Sequence, residues 1–486
     1  MAVLSELEPK NVFAFFEEIC GIPHGSGDTK RISDHLVAFA KERGLSYIQD
    51  EMNNVIIEKP GVNASEDAEP VILQGHIDMV CEKESGYDID FSSEGLKLKL
   101  EDGIISAEGT TLGGDDGIAV AYMLALLDSK DITHPPLYCV FTVDEEIGML
   151  GAAALDLSSV KSKLLINIDS EDEGVIMVSC AGGATATCSL PIDRKNDSEG
   201  ICCRLMVKGL TGGHSGVEIH KQRANSNQVL GRILYRISRE ASLDLISVEG
   251  GLKDNAIPRE SVSFLSVKDK KSFDQISVDI EEMKLILKHE YHKTDPGLEL
   301  VFEKVDDPSS PNPMDKASED RVIALLRGLP NGIYRMSEEI EGLVQTSLNM
   351  GILKTDEKAV NASFSVRSSV GSEKDELIER LEAVTEALGG SVSVAGDYPA
   401  WEYKKDSRLR ELMVDTYKEL YKESPVIEAV HAGVECGLFA GQIEGLDAVS
   451  IGPEMKDIHT PAESMDAESV KRTWEYILKC LEKLAK

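Results

Sequence analysis

Residues 71–80 read VILQGHIDMV, in which the short apolar run VILQ is followed by a glycine, a histidine and an aspartate. The run contains β-branched residues and predicts a buried strand, which His76 and Asp78 follow directly. Three further runs have the same character and also predict strands: Pro136–Val143, Lys163–Ile168 and Leu446–Ile451. Functional side chains of an open parallel α/β sheet collect beyond the carboxyl ends of its strands. We therefore expect His76 to share one edge of a sheet with the polar residues that follow the other runs.

The length and charge of the chain limit its architecture and its partners. A chain of 486 residues exceeds the usual size of one hydrophobic core, so two domains are expected, and 42% apolar residues suffice for a core in each. The formal net charge of -35 disfavours nucleic acid and anionic membranes as partners, because phosphate binding needs clustered Lys and Arg. Small molecules are the expected ligands.

The first residues, the absence of a long apolar stretch and the cysteines predict a cytoplasmic location. The first residues, MAVLSELEPKNVFAFF, lack the basic and apolar regions of a signal peptide, and no stretch reaches the roughly 18 uninterrupted apolar residues of a membrane helix. The nine cysteines are scattered without CxxC spacing. Reduced thiols are therefore expected, rather than disulfides or a thiolate zinc site.

The pattern along the chain predicts an α/β protein with an insertion. Strands and helices alternate over residues 1–182, including a helix at Ile118–Leu127 that is apolar nearly all round. Residues 183–397 change to strand-like runs between amphipathic helices such as Gln222–Arg239, and residues 398–486 return to the α/β pattern. We predict a mainly parallel-sheet catalytic domain with helices on both faces, interrupted by an inserted α+β lid domain. Because residues 398–486 return to the α/β pattern, His459 can lie in the same domain as the candidate residues before position 170.

Seven polar side chains follow the predicted strands or precede the apolar helix: His76, Asp78, Asp115, Glu145, Glu146, Asp169 and His459. Each has a structural explanation when taken alone. A strand-end histidine is often only structural, Asp115 and Asp116 suit a helix N-cap, and successive carboxylates suit a solvated loop. Together they supply nitrogen and oxygen ligands for a pair of Zn, Mn or Co ions. Of two adjacent glutamates, one can bind metal while the other moves a proton.

Six motifs in this order resemble the co-catalytic zinc exopeptidases, which include aminoacylase, carboxypeptidase G and the carnosinases. They are GHIDMV, GTTLGGDDGIAVA, VDEEIGMLGA, INIDSED, GLTGGHSGVEIHKQRANS and IHTPAESM. The resemblance covers essentially the whole chain and is greatest to the aminoacyl-histidine dipeptidase family, also called peptidase D or cytosol non-specific dipeptidase.

The resemblance implies a role for each of the seven side chains. One metal ion would be held by His76 and Asp169 and the other by Glu146 and His459, with Asp115 bridging the two. Glu145 matches the general base, and Asp78 matches the residue that orients His76. Zinc is the implied metal, with cobalt and manganese as alternatives. A cis peptide bond between Asp115 and Asp116 is also implied.

The resemblance extends to the inserted domain. His214 matches an imidazole that polarises the scissile carbonyl and stabilises the oxyanion as the domain closes. Asn255, Arg367 and Gly433 match residues that reach the substrate, and Arg367 suits a free α-carboxylate. A surface ion pair is the alternative for Arg367. A homodimer is as compatible with the sequence as a monomer.

The expected function is metal-dependent hydrolysis of dipeptides, including Xaa-His dipeptides such as β-alanyl-histidine. An N-acyl amino acid deacylase or desuccinylase would use the same metal site, and the long insertion favours the dipeptidase. A non-catalytic metal-binding scaffold is the alternative from another class, but it would not need Glu145 beside Glu146. A di-metal phosphohydrolase is disfavoured because no G-N-H-[DE] motif occurs.

Overall fold

The computed structural model describes residues 3–196, 200–305 and 312–486. By its internal contacts the chain forms two compact units. The first unit comprises Met1–Ser179, Tyr403–Ala429 and Val434–Lys486, and the second comprises Cys180–Glu402 and Val430–Gly433. The sequence placed the boundaries after residues 182 and 397, and it assigned 430–433 to the catalytic domain rather than to the insertion.

The elements are numbered in chain order. The helices are α1 (Lys10–Cys20), α2 (Lys30–Arg43), α3 (Gly114–Asp128), α4 (Leu150–Ala154), α5 (Ser226–Glu240), α6 (Lys270–Glu290), α7 (Lys316–Gly328), α8 (Gly371–Ala387), α9 (Arg408–Tyr421), α10 (Glu435–Gln442) and α11 (Ala467–Leu484). The strands are β1 (Ser46–Gln49), β2 (Val55–Lys59), β3 (Val71–His76), β4 (Leu98–Glu101), β5 (Ile104–Ala107), β6 (Leu137–Thr142), β7 (Leu164–Asn167), β8 (Val175–Cys180), β9 (Gly182–Pro191), β10 (Ile201–Lys208), β11 (Gly213–His214), β12 (Leu243–Gly250), β13 (Ala256–Ile257), β14 (Ser261–Val267), β15 (Glu299–Lys304), β16 (Gly332–Met336), β17 (Val344–Thr355), β18 (Ala359–Ser368), β19 (Ser391–Tyr398), β20 (Val426–Val430), β21 (Asp447–Ser450), β22 (Met455–Lys456) and β23 (Ser464–Asp466).

The first unit is built on an eight-stranded sheet in the order β1-β2-β6-β3-β7-β21-β8-β20. Its central strands β6, β3, β7 and β21 run parallel, while β1, β2 and β8 pair with their neighbours antiparallel. The four runs that predicted strands form these four central strands, and every residue of β3, β7 and β21 is buried. The α/β class is confirmed, and the sheet is parallel at its centre and mixed overall.

Helix α3 lies inside the first unit, as its apolar sequence predicts. All of its residues except the last are buried. The Tyr122 ring stacks on Trp474 of α11 with ring centroids 5.7 Å apart, and its hydroxyl donates to the carbonyl oxygen of Val470 at 2.7 Å. This contact gives the buried Tyr122 hydroxyl a hydrogen-bond partner.

A small second sheet in the first unit, in the order β22-β23-β5-β4, was not predicted. Its strands are two to four residues long, too short to leave an alternating pattern in the sequence. The loop between β22 and β23 contains His459, so this sheet holds a predicted ligand.

The second unit contains a nine-stranded antiparallel sheet and the helices α5 to α8. Strands β15-β10-β14-β12-β17-β18-β9-β19 follow one another, and β16 pairs with β17. The helices pack on the sheet around a core that includes Leu230, Leu287, Leu326 and Leu377. This is the α+β architecture that the sequence predicted for the insertion.

The predicted start of one helix at Gln222 is wrong. Helix α5 begins at Ser226, because the Asn225 side chain caps it by accepting hydrogen bonds from the backbone N–H groups of Asn227 and Gln228. Residues Ile219–Lys221 form a 3₁₀ turn, and Gln222 has a positive φ of 51° that interrupts the helix.

The sequence predicts reduced cysteines and no membrane-spanning helix. No disulfide joins cysteines within the described ranges. None of the helices in the described part of the chain has the length and apolarity that a membrane crossing needs.

Candidate metal centre

The five predicted metal ligands reach one edge of the first sheet from separate segments. His76 ends β3, Asp169 follows β7 by two residues, and Glu146 follows β6 by four. Asp115 stands at the start of α3, and His459 lies in the loop between β22 and β23. Strands β3, β6 and β7 are parallel, so the residues that follow them emerge at the same edge.

Asp115 faces both histidines. Its Oδ1 atom lies 3.0 Å from Nε2 of His76, and its Oδ2 atom lies 3.1 Å from Nε2 of His459. Two ligands of one tetrahedral zinc ion, each about 2.0–2.1 Å from the metal, lie roughly 3.3 Å apart. One oxygen of Asp115 is therefore at ligand spacing from each imidazole, which is the arrangement that a bridging carboxylate requires.

A second carboxylate accompanies each histidine. Asp169 Oδ1 lies 3.5 Å from His76 Nε2, and Glu146 Oε1 lies 2.8 Å from His459 Nε2. We call His76, Asp169 and Asp115 the first half-site, and His459, Glu146 and Asp115 the second. The donor atoms of the second half-site all lie within 4.8 Å of one another. The donor atoms of His76, Asp116 and Asp169 also lie within 4.8 Å of one another. The nitrogen and oxygen donors suit zinc, manganese or cobalt.

The carboxylates in this cluster raise the proton affinity of its histidines. Burial disfavours charged His76, yet Asp169 and Asp115 raise its pKa well above the ordinary value. Hydrogen bonds to Asp115 and Glu146 raise the pKa of His459 to about 10. Burial raises the pKa of Asp169 to about 6, against the effect of His76. The cluster thus attracts positive charge, which protons or metal ions can supply.

Glu145 stands beside the half-sites without belonging to either. Burial raises its pKa to about 9, His76 opposes the shift, and the negative charge of Asp169 adds to it. A divalent cation in the cluster would lower this pKa, because positive charge favours the carboxylate. A carboxyl group whose proton affinity responds in this way suits transfer of a proton from water to an amine.

Asp78 contacts both His76 and the segment that contains Glu145. Its backbone carbonyl oxygen lies 3.0 Å from His76 Nδ1, whereas its carboxylate Oδ1 lies 3.5 Å away. The same carboxylate accepts hydrogen bonds from the Glu145 backbone N–H at 3.1 Å and from the Ser26 hydroxyl at 2.8 Å. A proton on Nδ1 that is donated to Asp78 leaves the Nε2 lone pair facing the cluster.

Asp116 does not cap α3 with its side chain. Its Oδ2 atom accepts the backbone N–H of His76 at 3.2 Å, and Oδ1 is buried with no partner among the described residues. The N-cap is Gly113, which makes no side-chain capping bond. The predicted cis peptide bond between Asp115 and Asp116 is confirmed.

Comparisons with known proteins identify the family. A model described as peptidase family M20/M25/M40 matches residues 72–483. The chain belongs to this peptidase family. The sequence-based prediction of a metallopeptidase is therefore confirmed.

Two relatives resemble this family member along its whole length. The cytosol non-specific dipeptidase of Escherichia coli (strain K12) is 36% identical over 490 residues, which cover 100% of this chain and 99% of that protein. A crystal structure of the aminoacylhistidine dipeptidase from Vibrio alginolyticus is 36% identical, with a TM-score of 0.93 over 99% of this chain and 98% of that one. The aminopeptidase PepT of Bacillus cereus shares the fold, with a TM-score of 0.56 and 16% identity.

In the second unit of this M20/M25/M40 peptidase, His214 ends the two-residue strand β11. Its Nδ1 atom accepts the backbone N–H groups of Gly216 and Val217 at 3.1 and 3.2 Å. Burial, together with the positive charge of Arg367, lowers the pKa of His214. A neutral ring that accepts at Nδ1 carries its proton on Nε2. His214 therefore presents a hydrogen-bond donor.

The other three predicted substrate residues also lie in the second unit. Arg367 on β18 donates to the Tyr398 hydroxyl at 3.1 Å, and its Nε is buried with no partner in the described part of the chain. The alternative of an ion pair for Arg367 finds no support among the described residues. Asn255 is exposed. Gly433 is the last residue of the segment Val430–Gly433, which belongs to the second unit although the residues on either side of it belong to the first.

The sequence did not reveal two buried glutamates near the ligands. Glu435, the first residue of α10, accepts hydrogen bonds at Oε2 from Gln74 at 2.5 Å and from Thr142 at 2.7 Å. Glu463 accepts backbone N–H groups from the turn before Asp115. The available signal was an acidic residue within an otherwise apolar run, ECGLFAG, and an acidic residue four positions after His459.

Proposed function

We propose that this member of peptidase family M20/M25/M40 is a dipeptidase that uses two divalent metal ions, with zinc as the first candidate and cobalt or manganese as alternatives. The observation that carries the proposal is the position of Asp115, whose two oxygens each face one histidine. A structural aspartate needs no such symmetry. The named activities of the Escherichia coli and Vibrio alginolyticus relatives support dipeptides as the substrate class, including Xaa-His dipeptides such as β-alanyl-histidine.

The residues of the two half-sites would hold the two ions, with Asp115 shared. Bound there, the metal pair supplies Lewis acidity that polarises the scissile carbonyl and makes water more acidic. The donor set fits this role because it contains only imidazole and carboxylate groups.

Glu145 performs the proton transfers of the proposed reaction. Its carboxylate accepts a proton from the attacking water as the water oxygen bonds to the carbonyl carbon of the substrate. The protonated Glu145 then delivers that proton to the amine nitrogen while the carbon–nitrogen bond breaks. Asp78 maintains the geometry, because its carboxylate binds the backbone N–H of Glu145.

Two side chains of the second unit are proposed to bind the substrate. His214, neutral and protonated on Nε2, would donate to the carbonyl oxygen as negative charge develops there. Arg367 would bind the free α-carboxylate, since a guanidinium group offers two parallel donors to a carboxylate. Asn255 and Gly433 remain predicted substrate contacts, and a homodimer remains a prediction as well.

Substrate assays of the metal-loaded enzyme test the proposed specificity. We expect hydrolysis of β-alanyl-histidine and of several α-dipeptides, and no release of acetate from an N-acetyl amino acid. Cleavage of only the N-acyl substrate would support the deacylase alternative. Metal binding without hydrolysis of any of these substrates would support the non-catalytic scaffold.

The Glu145→Gln variant tests the assigned base. Loss of the carboxylate should lower kcat by about 10²–10⁴-fold, the usual contribution of a positioned acid–base group, while both metal ions remain bound. Glu173→Gln is a matched control in the same unit, where Glu173 forms an ion pair with Arg472 at 2.6 Å. Glu145→Gln with wild-type turnover would overturn the assignment.

A further inference from the structure

Glu463 connects the loop of His459 with the turn that precedes Asp115. Its side chain is buried, with 3% of the residue exposed. Oε2 accepts the backbone N–H of Leu112 and Oε1 accepts that of Gly114, both at 2.8 Å. One carboxylate thus binds two N–H groups that lie immediately before the bridging aspartate.

The turn at residues 112–114 passes close to the Glu463 side chain. Gly113 has a left-handed φ of 67°, and a Cβ atom at Gly114 would lie 3.2 Å from Met455 Sδ and 3.4 Å from Glu463 Oε1. The backbone therefore passes close to Glu463 and enters α3 from a direction that the carboxylate helps to set. Asp115 follows this turn directly, so the position of its two oxygens depends on the turn.

Glu463 also closes the loop that contains His459. Its backbone N–H donates to the carbonyl oxygen of Thr460 at 3.0 Å, and the Thr460 hydroxyl donates to the carbonyl oxygen of Asp457 at 2.7 Å. His459 itself has a positive φ of 61°, a conformation that a non-glycine residue keeps only when its surroundings impose it. The loop is thus held from within at Thr460 and from outside by the two bonds of Glu463.

Two ligands of the first half-site, His76 and Asp169, do not depend on this connection. His76 and Asp169 follow the parallel strands β3 and β7, and the Ile168 backbone N–H donates to the carbonyl oxygen of Gln74 at 2.9 Å. Sheet pairing therefore positions His76 and Asp169. The end of the His459 loop is joined to β5 by the pairing of β23, but among the described residues no backbone hydrogen bond joins this loop to residues 112–115. The Glu463 side chain supplies that connection.

A buried carboxylate is costly unless hydrogen bonds or positive charge compensate it. Burial raises the pKa of Glu463, and the N–H groups of Leu112 and Gly114 oppose the shift. Among the described residues, no Lys or Arg forms an ion pair with Glu463. The two N–H groups compensate the buried carboxylate, and an apolar residue at this position would leave them without an acceptor.

We propose that Glu463 is a positioning residue that preforms the second half-site by holding Asp115 and His459 at ligand distance from each other. This inference rests on the proposed metal centre and not on the identity of the substrate. A change at Glu463 should weaken the second half-site more than the first. The second half-site loses the position of both Asp115 and His459, whereas the first keeps His76 and Asp169 in place and is affected only through the shared Asp115.

Zinc titration of the metal-free protein tests the proposal. In Glu463→Gln, the side-chain oxygen can accept one of the two N–H groups. The side-chain NH₂ group is itself a donor, so it cannot accept the other. Loss of a residue that supports metal ligands typically lowers metal affinity about 10–100-fold. We expect a loss of this size for one of two zinc ions in Glu463→Gln, a larger loss in Glu463→Ala, and a smaller loss for the other ion, which shares only Asp115 with the affected half-site.

A matched variant separates positioning from general destabilisation. Asp447 is also a buried carboxylate of the first unit, and it accepts the Leu409 backbone N–H at 3.1 Å and the Ser407 hydroxyl at 2.5 Å. Asp447→Asn should lower the unfolding temperature of the metal-free protein without changing either zinc affinity. Circular dichroism of each variant confirms that the fold is retained before titration.

Two outcomes would overturn the proposal. One is wild-type affinity for both zinc ions in Glu463→Gln, and the other is an equal loss at both half-sites that Asp447→Asn reproduces. The readout is zinc affinity rather than turnover. An enzyme that binds two zinc ions but cleaves no dipeptide would contradict the proposed function and leave this test intact.

Discussion

Replacing Glu435 with glutamine removes a buried carboxyl group that can ionise and keeps the shape of the side chain. Glu435 is fully buried, and its Oε1 atom has no hydrogen-bond partner within the described ranges. Burial raises its pKa to about 8, and His76 opposes the shift. An amide oxygen can accept the same hydrogen bonds from Gln74 and Thr142, so the variant isolates the effect of the charge.

The expected effect on stability depends on pH. Between pH 4.5 and about 8, the folded protein binds the Glu435 proton more tightly than the unfolded chain does. This contribution to the free energy of unfolding is therefore complete below pH 4.5 and is lost as the pH rises through about 8. A pKa raised from 4.5 to about 8 corresponds to roughly 5 kcal/mol, at 1.36 kcal/mol for each pKa unit. The stability of Glu435→Gln relative to wild type should increase by up to that amount between pH 5 and pH 9.

Urea unfolding of the metal-free proteins measures this difference. Trp474 lies in the first unit and Trp401 in the second, so a Trp401→Phe background makes fluorescence report the unit that contains Glu435. The charged neighbours His76, Asp78 and Asp169 are present in both proteins, and their own titration largely cancels in the comparison.

Two results decide the matter. A stability difference that grows with pH supports the reasoning, and parallel curves from pH 5 to pH 9 would refute it. Glu42→Gln, at an exposed position of the same unit, controls for the loss of one formal charge.

Three further predictions concern metal, substrate and core. Zinc at 1,000 times its Kd should stabilise the metal-free protein by about 4 kcal/mol for each ion, measured by calorimetry, and an unchanged unfolding temperature with zinc, cobalt and manganese would contradict the metal centre. Arg367→Lys should raise KM for dipeptides about tenfold, equivalent to about 1.4 kcal/mol of lost carboxylate binding, whereas a loss in kcat alone would contradict the clamp. Tyr122→Phe should cost about 0.5–1.5 kcal/mol of stability, because the hydrogen bond from the Tyr122 hydroxyl to the Val470 carbonyl is lost, and a variant as stable as wild type would contradict this contact.

Local sequence patterns predicted the elements that hold the site. The strands that end near His76, Glu145 and Asp169 were identified from apolar runs of four to eight residues, because burial on both faces leaves a continuous apolar sequence. The fully buried helix α3 was identified for the same reason. Errors arose where a single side chain decides, as at Asn225, whose cap starts α5 four residues after the predicted start.

The roles of buried polar residues were harder to predict. A helix cap is one sequence-based explanation for Asp116, yet its carboxylate accepts the N–H of His76 from a neighbouring strand. The run ECGLFAG marks Glu435 as unusual, but it does not indicate the partner Gln74, which lies 361 positions away in the chain. Hydrogen bonds of this kind depend on distances between segments, which no local pattern encodes.

The sequence by itself determined the α/β class and the inserted α+β region, because these follow from local hydrophobic periodicity. It also named the residues of the predicted metal cluster, through motifs whose order resembles that of a known family. Only the tertiary structure decided that Asp115 meets His459 across 344 positions and that residues 430–433 join the second unit. It also revealed Glu463 between the two ligand loops. Long-range packing brings these groups together, and their spacing is a property of the folded chain alone.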